Sequence, residues 1–307
     1  MTKISRSLRR GLLGSREKAG FLQLAPRYLI LIGLSFIYVY PILYMIINSF
    51  MSPADLADPS VSYIPTQLYL ENFSKAFSVL KFWPSLGNSV LVAGVSALLQ
   101  TLVTAVVGFG LARFRVPFKK VLLVLIIATF FIPAEVTSIP RYVLFFRYGL
   151  VDTLLPSFLP ALLGQGISSA IFILVFVLFF NSYPLAFDEA AFLDGAGRFK
   201  VFTRIALPMA KPAIVLSFLF SFVWYWNEIT QSQMYFGKVY PTLMHMLSEF
   251  EARYSFMLTG DANNVVNPTQ SITLAGTLIA ILPMLLLFLV LQKQFINSVE
   301  RSGITGE

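Results

Sequence analysis

The amino-acid sequence predicts an all-α membrane protein with six transmembrane helices and both termini in the cytoplasm. Three features predict this fold class: the apolar composition, the length of the apolar windows and the uneven distribution of basic residues. The 307 residues are 57% hydrophobic and 12% charged, with a mean hydropathy of +0.75. Soluble domains are roughly 25% charged, so this composition indicates an integral membrane protein.

Six windows are long and apolar enough to form transmembrane helices, since a helix needs about 20 such residues to cross a bilayer. They are Tyr28–Phe50, Ser89–Ala112, Val121–Ile139, Pro160–Phe180, Ala213–Gln233 and Ile272–Leu291. Glu135 interrupts the third window, and Asn227 with Glu228 interrupts the fifth. The first window is too long for a signal-peptide core and follows no cleavage motif, so we expect it to remain as an anchor.

The basic residues predict the topology, because Lys and Arg concentrate on the cytoplasmic side of membrane proteins. Of the 23 Lys and Arg residues, seventeen fall in the two termini and in the connections that follow spans two and four. These segments are therefore predicted to be cytoplasmic, and the net charge of +8 mostly reflects this asymmetry. The basic residues are spread over separate short loops rather than one face, so nucleic-acid binding is not expected.

The composition also limits the chemistry of the chain. Cysteine is absent, which excludes disulfide bonds and thiolate metal sites. The only histidine, His245, cannot form a histidine cluster and is interpreted as a loop residue. No grouping of acids, bases or metal ligands stands out, so we predict neither a catalytic nor a metal site.

The chain is divided into four predicted segments. They are a basic cytoplasmic tail (1–27), a first transmembrane helix with an outer segment (28–84), a core domain (85–294) that contains a charged loop (184–212), and a second cytoplasmic tail (295–307). Pro133, Pro140 and Pro156 lie between spans three and four, where they predict an outer helical hairpin. In span two, Gln100 within the second window and Asn88 directly before it are predicted to form helix-to-helix hydrogen bonds.

The charged stretch "DEAAFLDGAGRFKVFTRIALPMAKP" separates spans four and five. Its first part predicts a short helix that carries Phe187, Ala190, Ala191 and Asp194 on one face. Gly195 then favours a left-handed turn. A second helical segment follows with threefold-spaced apolar residues, and Pro208 is expected to end it. By periodicity alone, an amphipathic loop on the lipid headgroups remains an alternative.

The spacing in this stretch is more specific than its periodicity. The pattern E-A-A-x2-D-G-A-x5-F-x2-I-x2-P-x3-P is met in full, by Glu189, Ala190, Ala191, Asp194, Gly195, Ala196, Phe202, Ile205, Pro208 and Pro212. It resembles the EAA loop of binding-protein-dependent ABC importer permeases. From Tyr28 onward the chain is similar to their carbohydrate-uptake branch, the group of the maltose permease G subunit. The stretches "IPRYVLFFRYGLVDT", "WNE" and "SITLAGTLIAILPMLLLFLVLQKQFINSV" also carry this resemblance.

The resemblance implies a type I ABC importer permease fold in the bacterial cytoplasmic (inner) membrane. It implies three protein partners: a second permease subunit, an ABC ATPase dimer and an extracellular substrate-binding protein. The residues from Glu189 to Pro208 that match the pattern would dock in a groove of the ATPase and couple it to the permease. This chain lacks the G-x-x-x-x-G-K-[ST] phosphate-binding motif, so ATP and Mg²⁺ would be bound by the partner ATPase, and the chain itself is not an enzyme.

Two further sets of residues are candidates on the substrate side. Trp226, Asn227 and Glu228 lie roughly 24 Å from the cytoplasmic edge at 1.5 Å per helical residue, and we predict that they line the translocation pathway. A polar cluster satisfied by neighbouring helices, or exposed at the outer interface, is the alternative for these three. In the long connection Met234–Ser271, three aromatic residues are predicted to contact the binding protein: Phe250, Tyr254 and Phe256. A disordered or self-packed cap is the alternative for this connection.

A stand-alone secondary transporter or a membrane-embedded enzyme is the rival hypothesis. Coupled carriers are expected to have buried carboxylates or broken helices at mid-membrane. The predicted spans of this chain are nearly free of charge, which favours the permease subunit.

Overall fold

The computed structural model describes residues 21–61, 63–260 and 269–303, with backbone alone from residue 293 onward. Most of the predicted N-terminal tail, residues 261–268 of the long outer connection and the last four residues lie outside the described part. Within it the chain is helical and contains no strand. The helices are α1 (Phe21–Ser49), α2 (Pro53–Ala57), α3 (Glu71–Val79), α4 (Phe82–Arg113), α5 (Lys119–Phe130), α6 (Ala134–Arg147), α7 (Leu155–Leu162), α8 (Ser169–Ser182), α9 (Ala186–Leu193), α10 (Arg198–Val201), α11 (Leu207–Met209), α12 (Lys211–Trp226), α13 (Leu243–Ser248), α14 (Phe250–Thr259) and α15 (Gln270–Gly303). Two π-helical turns, Phe202–Ala206 and Ser232–Phe236, complete the order.

Three helices of the described residues are each long and apolar enough to cross a membrane, within α1, α4 and α15. Three further pairs pass the same test only together, because each is sharply bent at a short break. The bends are 93° between α5 and α6, 73° between α8 and α9, and 76° between the α10–α11 segment and α12. The chain therefore has up to six spans if each bent pair counts as one.

The third, fourth and fifth apolar windows are not the continuous helices that the sequence predicts. The third breaks before Pro133, because the residue before a proline is disfavoured in the α conformation. The fourth breaks between α7 and α8, where Gly164 has a φ of +70°. The fifth ends at Trp226. The side-chain amide of Asn227, the next residue, donates a hydrogen bond to the Val223 carbonyl at 2.9 Å.

The contacts divide the described residues into two compact units, of which the first comprises 21–61, 63–76 and 269–278. Its helix α1 is apolar, and no residue of its candidate membrane-spanning window is buried. The chain after α1 is held by Asn72, whose amide donates to the carbonyls of Ser49 at 3.0 Å and Met51 at 2.8 Å. A capping box between Ser52 and Asp55 begins α2.

The second unit, residues 77–260 and 279–303, is built around α4, which packs against α7, α8, α12 and α13. Its packing face carries small residues that allow close approach of neighbouring helices. Gly108 is the tightest example, since a Cβ built on it would lie 2.4 Å from the Cβ of Phe176 in α8. The core of this unit therefore depends on helix contacts that larger side chains would not permit.

Of the two polar residues predicted to join helices, Gln100 does so and Asn88 does not. The Gln100 amide nitrogen donates to the Ser221 hydroxyl in α12 at 3.0 Å and to the Ile167 carbonyl at 2.9 Å, and its oxygen accepts from the Tyr225 hydroxyl at 2.8 Å. Asn88 donates to the Pro241 carbonyl at 3.0 Å, so its partner is a connection rather than a helix. The network around Gln100 holds the break between α7 and α8 in place.

Candidate functional site: coupling surface and translocation cavity

The stretch that matches the EAA pattern folds as two short helices joined at Gly195. Gly195 has a φ of +76°, and the amides of Gly195 and Ala196 donate to the carbonyls of Phe192 and Ala191 at 3.0 and 2.9 Å. These two bonds form a Schellman motif, which requires a left-handed residue after the helix. The predicted glycine turn is confirmed, and it sets the angle between α9 and α10.

The second segment continues one residue past Pro208, contrary to the expected stop at the proline. A π-helical turn over Phe202–Ala206 precedes Pro208, and the Leu207 amide donates to the Phe202 carbonyl. Proline has no amide hydrogen, and its ring collides with the carbonyl four residues earlier in a regular helix. The wider turn relieves this conflict, so the helix ends at Met209 instead.

The predicted coupling residues divide between two faces. Ala191 is buried in a cluster with Phe109, Phe176 and Phe180, against which Ala196, Phe202 and Ile205 also pack. Glu189, Ala190, Asp194 and Pro208 are exposed. Two large apolar side chains beside them project outward: Leu193 is 89% exposed and Phe199 is 79% exposed. One face therefore attaches the stretch to the chain, while the other is free for a partner.

A buried polar cluster lies behind the exposed face, and the sequence analysis did not identify it. Arg113, the last residue of α4, is 3.4 Å from Asp188 between Nε and Oδ2, and it donates to the Tyr183 carbonyl at 2.7 Å. The Tyr183 hydroxyl donates to Asp188 Oδ1 at 2.6 Å. Burial, followed by this hydrogen bond, raises the pKa of Tyr183 to about 12. The available signal was an arginine at a helix end and a second carboxylate next to Glu189.

A cavity of about 430 Å³ lies between the α5–α6 break, the α7–α8 turn and the residues after α12. Its lining includes Arg141, Glu228, Gln231 and Ser169. Glu228 Oε1 accepts from the Gln231 amide at 3.0 Å, and the Ser169 hydroxyl has no partner among the described residues. The cavity therefore offers a carboxylate, a guanidinium and an amide group to a polar ligand.

The three predicted pathway residues occupy different surroundings. Glu228 is half-buried and lines the cavity. Trp226 is buried and stacks on Phe222 with 5.8 Å between ring centroids, while Asn227 is exposed and bonds its own helix. Trp226 thus belongs to the helix core, and only Glu228 lies where a ligand in this cavity would contact it.

The outer connection folds into α13 and α14. Of the three aromatic residues predicted to contact a binding protein, Phe256 is 57% exposed, whereas Phe250 and Tyr254 are buried. His245 is not in a loop but in α13, where it is buried and its Nε2 is 3.6 Å from Glu249. Burial lowers the pKa of His245, and its effect outweighs that of the Glu249 carboxylate, which raises the pKa. These contacts link α13 to the start of α14.

Comparison with known proteins gives consistent matches over most of the chain. A family model described as a binding-protein-dependent transport system inner membrane component matches residues 104–300. The protein LplC of Bacillus subtilis is 31% identical over 293 residues, covering 94% of this chain and 97% of that protein. The arabinooligosaccharides transport system permease protein AraQ of Halalkalibacterium halodurans is 26% identical, covering 89% of this chain and 93% of the relative.

A further relative and one solved structure extend the comparison. The lactose transport system permease protein LacG of Rhizobium radiobacter is 25% identical, covering 88% of this chain and 93% of the relative. The crystal structure of a bacterial ABC transporter involved in the import of the acidic polysaccharide alginate has a TM-score of 0.74 at 21% identity. It covers 92% of this chain and 98% of its own, so the likeness in fold extends over nearly the whole length.

Proposed function

The chain belongs to the family of binding-protein-dependent transport system inner membrane components, and from that premise we propose that it is the permease subunit of an ATP-driven carbohydrate importer. As a member of that family it is a multi-pass protein of the inner membrane. The predicted all-α ABC permease fold is confirmed by the solved structure with the similar fold. The rival hypothesis of a stand-alone secondary transporter is not supported, because the family supplies one component of a larger system.

We propose a sugar or an oligosaccharide as the substrate. The relatives are named for arabinooligosaccharides, diacetylchitobiose and lactose, and the similar solved structure for alginate. The cavity beside Glu228 supports this substrate class, because carboxylate, guanidinium and amide groups pair well with sugar hydroxyls. In this proposal Glu228 faces the passing sugar, Trp226 holds the end of α12 and Asn227 closes the helix.

The partners in the proposal are a second permease subunit, an ABC ATPase dimer that binds ATP and Mg²⁺, and an extracellular substrate-binding protein. The observation that carries the coupling role is the exposed apolar pair Leu193 and Phe199 on either side of the Gly195 turn. Burying each side chain in a groove of the ATPase would contribute about 1.5–3 kcal/mol. Glu189, Ala190, Asp194 and Pro208 border this surface, and Glu189 would pair with a basic group.

The residues of the pattern that face inward have a different part in the same proposal. Ala191, Ala196, Phe202 and Ile205 fix the two short helices to the core around Phe109. A force applied at the exposed face is then passed to the helices that enclose the pathway. On the opposite side of the membrane, Phe256 would contact the binding protein, while the buried Phe250 and Tyr254 hold α14 in position.

Reconstitution tests the proposed function. The chain, its partner permease and the ATPase are placed in proteoliposomes with the binding protein and a labelled oligosaccharide. Uptake is expected to require ATP on the side of the membrane that carries the ATPase. It is also expected to require the binding protein on the opposite side of the membrane. Uptake that follows an ion gradient without ATP would contradict the proposal.

A further inference from the structure

We propose that Arg113, Tyr183 and Asp188 form a latch that makes α9 move together with α4. The inference rests on the proposed function, because it assigns positioning residues to the coupling surface. The latch joins the cytoplasmic end of the central helix to the helix that carries Glu189. It explains how a short, mostly exposed helix would transmit a force into the core.

Each member of the latch contacts the other two. Arg113 is 3.4 Å from Asp188 and donates to the Tyr183 carbonyl at 2.7 Å, and its guanidinium carbon lies 3.7 Å from the centroid of the Tyr183 ring. The Tyr183 hydroxyl closes the triangle by donating to Asp188 at 2.6 Å. Planar guanidinium groups suit this combination of stacking and hydrogen bonding, which a lysine could not reproduce.

The burial of the latch separates it from an ordinary surface ion pair. The side chains of Arg113 and Asp188 are 6% and 8% exposed. A solvent-exposed pair contributes little to position or stability. A buried pair is different, because removing one partner leaves the other charge without compensation in a poorly solvated place. The latch therefore resists separation of α9 from α4.

The local placement of the charges favours the same arrangement. Arg113 lies in the last turn of α4, where the helix dipole attracts a cation, and Asp188 lies in the first turn of α9, where it attracts an anion. Each helix end thus carries the charge that its dipole favours, and these two opposite charges contact each other.

Helix α9 has few other attachments. It has eight residues, and isolated helices of that length are not stable in water. Its only buried apolar residue is Ala191, while Phe187, Phe192 and Leu193 are exposed. The latch is therefore the main polar connection between this helix and the core.

Adjacent carboxylates give the helix its two functions. Asp188 is buried and points to the latch, whereas Glu189 is exposed on the proposed docking face. A displacement imposed on Glu189 by a partner acts one residue away from the anchor to α4. Because α4 packs against α8 and α12, it would carry this displacement to the helices that border the cavity.

The test uses the whole complex with single substitutions in the latch. Tyr183→Phe removes one hydrogen bond and keeps the ring beneath the guanidinium, while Asp188→Asn and Arg113→Gln remove one charge each. Arg115→Gln is the matched control, since Arg115 is an exposed arginine that lines the same surface cavity as Arg113 and Asp188 but makes none of the latch contacts. The measurements are co-purification of the partners, basal ATP hydrolysis and substrate transported per ATP hydrolysed.

We expect the latch variants to assemble and to hydrolyse ATP, but to transport about tenfold less substrate per ATP hydrolysed. A tenfold loss corresponds to a coupling free energy of about 1.4 kcal/mol. The double variant Arg113→Gln with Asp188→Asn should be no worse than the poorer single variant, as residues of one network are not additive. Arg115→Gln should transport normally. Transport per ATP equal to wild type in all three latch variants would overturn the inference.

A direct measurement of position excludes a purely structural role. The natural chain contains no cysteine, so spin labels on Cys replacing Arg115 and Leu185 would report a single distance. The distance distribution should be narrow in wild type and broad in Tyr183→Phe. A Tyr183→Phe complex that assembles with an unchanged distribution would overturn the inference, and so would loss of assembly in Tyr183→Phe alone.

The outcomes separate this inference from the proposed function. If Glu189→Lys abolishes coupled transport but the latch variants do not, only the latch fails. If Glu189→Lys and Leu193→Ser both leave coupled transport intact, the docking surface itself is wrong and the latch fails with it.

Discussion

Replacing Gly108 by alanine is expected to push α4 and α8 apart. A Cβ on Gly108 would lie 2.4 Å from the Cβ of Phe176 and 3.1 Å from its carbonyl carbon. Carbon atoms pack at about 3.5–4.0 Å, so the two helices would have to separate by roughly 1 Å. Neither neighbouring atom is the flexible end of a side chain, and the strain cannot be relieved by a change of rotamer.

Gly110→Ala provides a matched control on the same helix. A Cβ on Gly110 meets no atom within 4 Å. Both variants gain about 0.5–1 kcal/mol from the preference of alanine over glycine in a helix. Only Gly108→Ala has the cost of overpacking, about 1–3 kcal/mol. The difference in unfolding free energy between the two variants therefore isolates the helix contact.

Thermal unfolding of the purified complex measures this difference. For chains of 150–250 residues about 1 kcal/mol corresponds to roughly 2–4 °C in Tm. Gly108→Ala is expected to melt below wild type and Gly110→Ala at or slightly above it. Equal melting temperatures of the two alanine variants would refute the argument from close packing.

Three further predictions concern transport. Gly195→Pro should leave the complex assembled and abolish substrate-stimulated ATP hydrolysis, because proline cannot adopt the φ of +76°. Glu189→Lys is expected to have the same effect. Normal stimulation of ATP hydrolysis in these variants would contradict the coupling role. Glu228→Gln keeps the acceptor for the Gln231 amide but removes the charge, so uptake should change while basal ATP hydrolysis and protein abundance persist. A photo-crosslinker at Phe256 should capture the binding protein in an ATP-trapped complex and one at the buried Phe250 should not; equal capture at both would argue against the contact.

The apolar windows predicted a membrane-spanning helix correctly wherever the local composition alone determines that helix. The windows around α1, α4 and α15 correspond to helices long enough to cross a membrane. The interrupted windows were assigned correctly as helical but wrongly as continuous. Their breaks depend on a proline at 133, on the network around Gln100 and on the Asn227 amide that bonds the Val223 carbonyl. Only the network around Gln100 consists of contacts between distant parts of the chain.

The sequence by itself determined the class of protein, the location of the stretch that matches the EAA pattern and the left-handed turn at Gly195. Each of these follows from local composition or from residues a few positions apart, which set backbone preferences regardless of the rest of the fold. Only the tertiary structure decided that Ala191 faces inward while Ala190 faces outward, and that Phe250 is buried while Phe256 is exposed. It also brought Asp188 to Arg113. The physical reason is that burial depends on which other helices arrive at a given face, and helical periodicity does not specify those neighbours.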